Sequence, residues 1–427
     1  MIAEELLHFV WQFRLFNQLE LYSTDDEQIK IFQVGQCNGD AGPDFLFSQI
    51  SIDGQEWRGH IEIHVDGTDW MAHEHHRDPA YNSVVLHVVF QNPVRVFRED
   101  GTLIPCLELA PLIDAKVFGH YEEIMKSLHW IPCEKHLPHV DALHKIQTMQ
   151  RLAAVRLEKR HMQVQDLLTD TLFDWERVLF LLLCRSFGMK VNAGPFLELG
   201  RLVDLSLIRK YRAAPFKIEA MLFGQAGFLT DVPKEGYVKK LADEYQYLRS
   251  IHHLKERKAF EWKFMRMRPY NFPTFRLAQL LALYSREPYL FEQVIRCKEI
   301  VDLYDLLRDV TPASFWETHF RLEKSTTSHA TRLSQPFIEH ISINAFIPVI
   351  FSYGKYMEID RLQTKALNWL EQLKAEDNNI TRKFNELTLS ASSAADSQGL
   401  LQLKEDYCDQ KKCLQCSIGL SIFRKLG

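Results

Sequence analysis

The sequence predicts an α+β protein, with an N-terminal α/β domain on a mixed sheet followed by a large all-α domain that ends in a cysteine motif. Three observations predict it. Between Gly35 and Phe90, apolar and polar residues alternate at period two, as in Phe45–Ile52 and His60–Val65. Past Tyr121 the spacing becomes that of amphipathic helices and strand signals grow sparse. Three of the eight cysteines, Cys408, Cys413 and Cys416, gather near the C-terminus with spacing C-x4-C-x2-C. The boundary falls near residue 115, giving domains of 1–115 and 116–427.

In chain order, Ile2 to Phe16 spaces Leu6, Leu7, Phe9, Val10, Phe13 and Phe16 at helical intervals, with Glu4 and Glu5 in the first turn. Acids there offset the positive end of the helix macrodipole; the sharper alternative makes one of them an outer metal ligand. Ile29–Val34 reads as the first strand, and Gly35, Gly39 and Gly42 as a turn. Asp44 leads into Phe45–Ile52, Asp53-Gly54 is a hairpin signal, and Glu62 lies in the following strand. A hairpin can set Asp44 against Glu62 across the ladder. Like charges so placed need a cation between them or a proton on one.

Six of the 18 histidines fall between His60 and His87. His73 and His75 with Asp78 are donors suited to zinc, manganese or iron, although their spacing matches no strong zinc template. His87, between Leu86 and Val88 in the strand Val84–Phe90, reads equally as a half-buried strand residue with a hydrogen-bond partner. Another hairpin follows, Val94–Phe97 and Leu103–Leu109 around Asp100-Gly101.

The helical domain is carried by Asp141–Leu168, Trp175–Phe187, Glu235–Leu254, Phe275–Tyr284, Leu362–Lys374 and Ser397–Lys404. Ser325–Leu333 is polar and reads as a loop, and Ser390–Ser397 as linker or N-cap material. In Glu261–Leu280, Lys263, Arg266, Arg268 and Arg276 interleave with Trp262, Phe264, Tyr270, Phe272 and Phe275. Arginines on phosphate with aromatics under bases are how single strands are held; the alternative has the aromatics filling a helix corner with the arginines paired. In the tail, Cys408, Cys413 and Cys416 are one ligand short of four, and Cys133 is the candidate fourth, with Cys37, His136 and His139 as rivals. Lys411 and Lys412 favour thiolates there. Incidental cysteines in a reduced tail are the other reading.

The 427 residues carry a net charge of −5, with 46% hydrophobic and 25% charged residues. No bulk basicity advertises nucleic acid, so any such surface must be local. The N-terminus lacks a basic leader, no apolar run reaches membrane-spanning length, and the cysteines are too sparse for a disulfide scaffold. A cytoplasmic protein without membrane contact is expected.

Pro43-Asp44 followed by Glu62-Ile63-His64 resembles the core of PD-(D/E)XK phosphodiesterases. In that family the two acids hold a divalent metal and a lysine assists the attacking water; here His64 stands at the lysine position. Over nearly its full length the chain resembles the bacterial domain-of-unknown-function 2851 family. That resemblance is carried by Asn38–Phe45, Trp57-Arg58-Gly59 with Ile61–His64, Asp69-Trp70 with His73, His75, Asp78 and Tyr81, Leu86–Val89, Phe223–Gly227, Trp262–Pro273 and the Cys408–Cys416 tail.

The first resemblance implies magnesium- or manganese-dependent phosphodiester hydrolysis on nucleic acid. Asp44 and Glu62 would hold the metal, with Glu5 or Glu4 as an outer ligand, and His64 would orient or deprotonate water. His73 and His76 would serve as acid or supporting groups, and Lys263, Arg266, Arg268 and Arg276 would bind substrate. Cys133, Cys408, Cys413 and Cys416 would take zinc or an iron–sulfur cluster. Two other readings stand beside it: a non-catalytic nucleic-acid-binding or scaffold protein with a degenerate nuclease core, and a histidine-based metalloenzyme acting on a small molecule.

Overall fold

The computed structural model describes residues 3–230, 235–255 and 262–426. Ile2 and Glu261, which open two stretches named above, lie outside the described residues. The backbone gathers into two units, one of Met1–Thr148 with Leu403–Gly427 and the other of Met149–Gln402. The predicted boundary at 115 marks where strands stop. The first unit continues beyond it and takes back the cysteine tail.

The first unit opens with helix α1 (Glu4–Gln12), which buries Leu6, Leu7, Phe9, Val10 and Trp11. It stops short of the predicted Phe16 because the chain turns at Arg14, whose φ is 53°. A non-glycine residue in the left-handed region cannot continue a right-handed helix. Trp11 Nε1 then donates to the Val34 carbonyl at 3.0 Å, fastening the helix to the sheet region.

The strands are β1 (Leu21–Tyr22), β2 (Gln28–Gln33), β3 (Gln36–Cys37), β4 (Phe45–Ile52), β5 (Gln55–Asp66), β6 (Val84–Gln91), β7 (Val96–Phe97), β8 (Leu103–Ile104) and β9 (Cys106–Glu108). Seven make one mixed sheet in the order β1-β2-β4-β5-β6-β9, with β3 on β4; β7 and β8 form a separate ribbon. The pairs from β1 to β5 are antiparallel, whereas β5 with β6 and β6 with β9 are parallel.

Asp53 and Gly54 have φ of 46° and 83°. Positive φ at both positions is what a two-residue type I′ hairpin demands. β5 starts five residues before the predicted His60, because Gln55–Arg58 pair with β4 while their side chains stay exposed. Gly59 marks the point where β6 crowds in. A Cβ there would lie 2.4 Å from Val85 Cγ1 and 2.5 Å from the Ser83 carbonyl oxygen.

Val84–Val89 is buried throughout, as a parallel strand covered on both faces should be, and His87 sits inside that run. Between β5 and β6 the short helix α2 (Asp69–Ala72) plants Trp70 in the interior. Residues beyond the sheet begin with helix α3 (Ala115–Lys126).

The second unit is largely helical. The predicted segments appear as helices at Trp175–Phe187, Tyr237–His252, Pro273–Arg286 and Asp360–Gln372. The helix Ala394–Leu403 starts three residues earlier than expected. Ser393 Oγ accepts from the Asp396 amide and Asp396 Oδ2 from the Ser393 amide, so the serine-rich stretch does serve as the N-cap. One apolar cluster, with Phe180, Phe223, Phe275, Trp316, Phe346 and Trp369 fully buried, forms the core.

Gln335–Tyr356 is, among the described residues, the one helix long and apolar enough to cross a membrane. Most of its apolar window (78%) is buried within the protein. A π turn at Ser342–Phe346 precedes Pro348, which has no amide hydrogen to continue the ladder.

Candidate metal centre

The centre begins with a turn. Asn38 Nδ2 donates to the carbonyls of Pro43 (3.0 Å) and Ala41 (3.4 Å), and the Asn38 amide donates to the Asp44 carbonyl at 2.7 Å. These bonds fix the Gly-Pro-Asp bend ahead of β4. In the antiparallel ladder Phe45 pairs with Ile61, and Asp44 lies next to Glu62. The Asp44 amide donates to Glu62 Oε2 at 3.1 Å, while the Ile63 amide donates to Asp44 Oδ2 at 2.9 Å. Each carboxylate is thus held by the other's strand.

Imidazoles surround this pair. Glu62 Oε1 lies 3.3 Å from His75 Nε2 and 3.5 Å from His64 Nε2. His64 shares the Glu62 face of β5 by period two, and the parallel register sets His87 beside Glu62. His64 Nδ1 and His87 Nε2 meet at 2.9 Å. His73 and His75 come from the segment after α2, which Glu74 folds back with a φ of 59°. His75 is stacked on Tyr81 at 3.8 Å and lies edge-on to Trp70. From α1, His8 Nε2 reaches to 3.3 Å from Asp44 Oδ2 and 3.9 Å from Glu4 Oε1. That nitrogen is buried without a hydrogen-bond partner.

Two sets of three donors result. His64, His73 and His75 form one, and Glu4, His8 and Asp44 the other; within each set the ligand atoms lie within 4.8 Å of one another. Glu62 touches members of the first set and is tied to Asp44 of the second. An orphaned buried nitrogen beside a carboxylate, and neutral imidazoles converging on a second carboxylate, are donor sets that fit a divalent cation.

The electrostatics agree with that chemistry. Burial, then the neighbouring imidazoles, pulls His64 down to about 2. Burial and His75 bring His87 to about 4. Both rings are therefore neutral at pH 7, with a lone pair available. A ring as weakly basic as His64 fits a ligand and not the proton acceptor expected at the lysine position. With His64 Nδ1–H donating to His87, Nε2 faces the site, which is how an outer partner orients a ligating histidine.

Burial raises Glu62, opposed by His75 and reinforced by the charge of Asp44. Burial, then Asp44, raises Glu4. Burial works against charge on His8, but its contact with Asp44 and the charges of Asp44, Glu4 and Glu62 prevail and hold it above the ordinary imidazole range.

Several expected residues stand elsewhere. Glu5 is exposed and belongs to neither donor set; one helical step turns it away, and Glu4 takes the place assigned to it. His76 also belongs to neither set, and its Nδ1 is buried without a partner. His75, two turn residues beyond His73, is the one brought in. Asp78 spends its carboxylate on the Ala80 amide as a helix cap (2.9 Å). His8 was not singled out from the sequence, yet it lies one helical turn from Glu4, and that i,i+4 spacing was the available signal.

The basic–aromatic stretch belongs to the second unit. Arg276 is 6% exposed, donates to Gln279 Oε1 (2.8 Å) and Asn271 Oδ1 (2.7 Å), and packs 3.3 Å above the Phe337 ring. Burial alone lowers it to about 9. It is an internal strut and not a substrate contact. Trp262 Nε1 donates to the Ala226 carbonyl while its ring packs on Phe196 and Phe228, so the aromatics fill a corner. The Lys263 backbone exchanges bonds with the Asn192 side chain. The side chains of Lys263, Arg266 and Arg268 are exposed.

Fold and site together define a two-unit α+β protein that presents a carboxylate–imidazole cluster at the centre of a mixed sheet. The chain belongs to the family described as "Protein of unknown function (DUF2851)", whose model matches residues 4–379. That span contains every donor of the cluster and ends before the cysteine tail. No curated protein and no solved structure matches the chain.

Proposed function

We propose that this protein is a metal-dependent hydrolase acting on phosphate esters, with the Asp44–Glu62 pair at its centre. The observation that carries the reading is the convergence of Glu4, His8 and Asp44 beside His64, His73 and His75, with Glu62 in contact with both groups. A bound divalent ion supplies an acidified water and counter-charge for phosphoryl oxygens. Glu4, His8 and Asp44 would hold one ion and His64, His73 and His75 another, with Glu62 between them. The imidazole set suits manganese, iron or zinc better than magnesium, which prefers oxygen. His87 keeps His64 in the ligating tautomer, and Trp70 and Tyr81 hold the plane of His75.

The resemblance to PD-(D/E)XK enzymes supports the reading through three placements: an acid opening one strand, an acid on the next, and an acid on the first helix. The departure is that the lysine position holds His64, a ligand by its environment.

A second reading has a specific observation in its favour. The charges that act on Glu4, His8 and Glu62 come from acids and histidines, and no lysine or arginine is among them. A site whose positive charge comes from metal alone suits a small phosphate ester or another small molecule as well as a nucleic acid backbone. The test is hydrolysis of bis-p-nitrophenyl phosphate, oligonucleotides and p-nitrophenyl phosphate with manganese, zinc, iron(II) or magnesium. Turnover abolished by Asp44→Ala and by His73→Ala supports the proposal. Absence of turnover with all four metals, or turnover indifferent to both variants, refutes it.

A further inference from the structure

A second cluster of potential ligands lies in the first unit, away from the acids and histidines. Cys133 is buried in the turn that follows Trp130, and its carbonyl accepts from the amides of His136 and Leu137. Cys413 and Cys416 are buried and Cys408 half-buried in the tail. The two segments, some 280 residues apart in sequence, are brought together by specific contacts. Lys404 Nζ lies 5.0 Å above the Trp130 ring, and Lys411 Nζ donates to the Met125 carbonyl at 2.6 Å.

The tail is tightly folded at this point. A Cβ on Gly419 would fall 2.0 Å from the Cys413 carbonyl oxygen, so the helix Ser417–Leu426 presses directly against the Cys413 backbone. Lys411 turns the loop with a φ of 52°, and the Cys416 amide donates to the Cys413 carbonyl at 3.3 Å.

The sulfurs sense one another. Cys408 feels the charges of Cys133, Cys416 and Cys413, and Cys133 feels those of Cys416 and Cys413. Burial first, and then these neighbours, pushes Cys133 up to about 12, and burial with Cys416 does the same to Cys413. Lys404 pulls Cys408 the other way, as Lys411 does Cys413. Four thiols crowded out of water with two lysines beside them are poor thiolates alone and good ones around a cation.

We propose that Cys133, Cys408, Cys413 and Cys416 form a four-thiolate site for one thiophilic metal centre, a zinc ion or an iron–sulfur cluster, which clasps the tail to the Trp130–His139 segment. Four cysteine ligands close a structural zinc site and equally ligate a cluster. Binding energy of such a centre is folding energy, so the tail depends on it.

The experiment uses full-length protein purified without oxygen, analysed for zinc, iron and acid-labile sulfide, with its visible spectrum recorded. The wild type, Asp44→Ala and Cys297→Ser are expected to carry one centre per chain. Zinc leaves the protein colourless; iron with sulfide colours it brown. Cys408→Ser and Cys413→Ser are expected to weaken retention about tenfold or more. Because Asp44→Ala removes a donor of the other centre, metal that survives it reports on the cysteines. Where a serine variant does not fold, a strong chelator applied to Asp44→Ala is expected to strip the metal and lower Tm. Protein free of zinc and iron, metal content indifferent to both serine substitutions, or chelation that leaves Tm unchanged would each overturn the proposal.

Discussion

Replacing Glu62 with glutamine tests the central geometry through the sign of its effect on stability. Glutamine preserves the shape and an oxygen to accept the Asp44 amide, now 3.1 Å from Glu62 Oε2, and it removes one of two like charges. The folded-state pKa of Glu62 is raised, mainly by burial. Stability linked to this group is therefore complete below the unfolded carboxylate value and is lost as pH rises through the folded one. Without metal at neutral pH, that loss is in force, and Glu62→Gln abolishes it.

Adjacent like charges repel by on the order of 1–4 kcal/mol between watery and protein-like dielectrics. His8 and His75 offset part of this, which leaves a gain of about 1–2 kcal/mol and a Tm rise of a few degrees. Metal reverses the order. A ligand at 100 times its Kd stabilises the wild type by about 2.7 kcal/mol, and the variant, short of a carboxylate, gains far less. Differential scanning fluorimetry of both proteins with EDTA and then with manganese or zinc reads this crossing. A variant that is less stable than wild type in EDTA, or an identical metal-induced shift in the two, refutes the reasoning.

Further outcomes follow from the same structure. His87 has a depressed pKa, so its contribution is present above about pH 6.5 and lost as pH falls through about 4; at pH 5 the loss is about 2 kcal/mol of a total near ~3. Urea unfolding of metal-free protein at pH 7.5 and 5 measures it, and His87→Gln should flatten the dependence. Arg276→Ala should cost about 3–5 kcal/mol because Gln279 and Asn271 lose a buried charged partner. Arg266→Ala and Arg268→Ala should stay within about 0.5 kcal/mol in the same denaturation assay. Glu4→Ala should weaken metal binding in calorimetry, while Glu5→Ala leaves it unchanged.

Much of the fold was legible from local chemistry. The hairpin at Asp53-Gly54, the alternation in Phe45–Ile52 and the apolar run Val84–Phe90 depend on neighbours two residues apart, and sequence displays such periods directly. The long helices are readable for the same reason. The candidate centre was legible to the extent that it depends on one hairpin: Asp44 and Glu62 face each other because a two-residue turn sets their register. His64 follows by period two. His8 and His75 were harder. The first depends on how α1 is docked, and the second on a left-handed Glu74 that no residue type demands.

By itself, then, the sequence determined the elements, their faces and the pairing of two acids across a tight turn, since all of these are settled by interactions within a few residues. Only the tertiary structure decided which of Glu4 and Glu5 faces the acids, that Arg276 is an internal strut, and that Cys133 meets the tail cysteines. Those outcomes depend on burial and on contacts between segments distant in the chain, where the free energy of packing chooses among side chains that local pattern leaves equivalent.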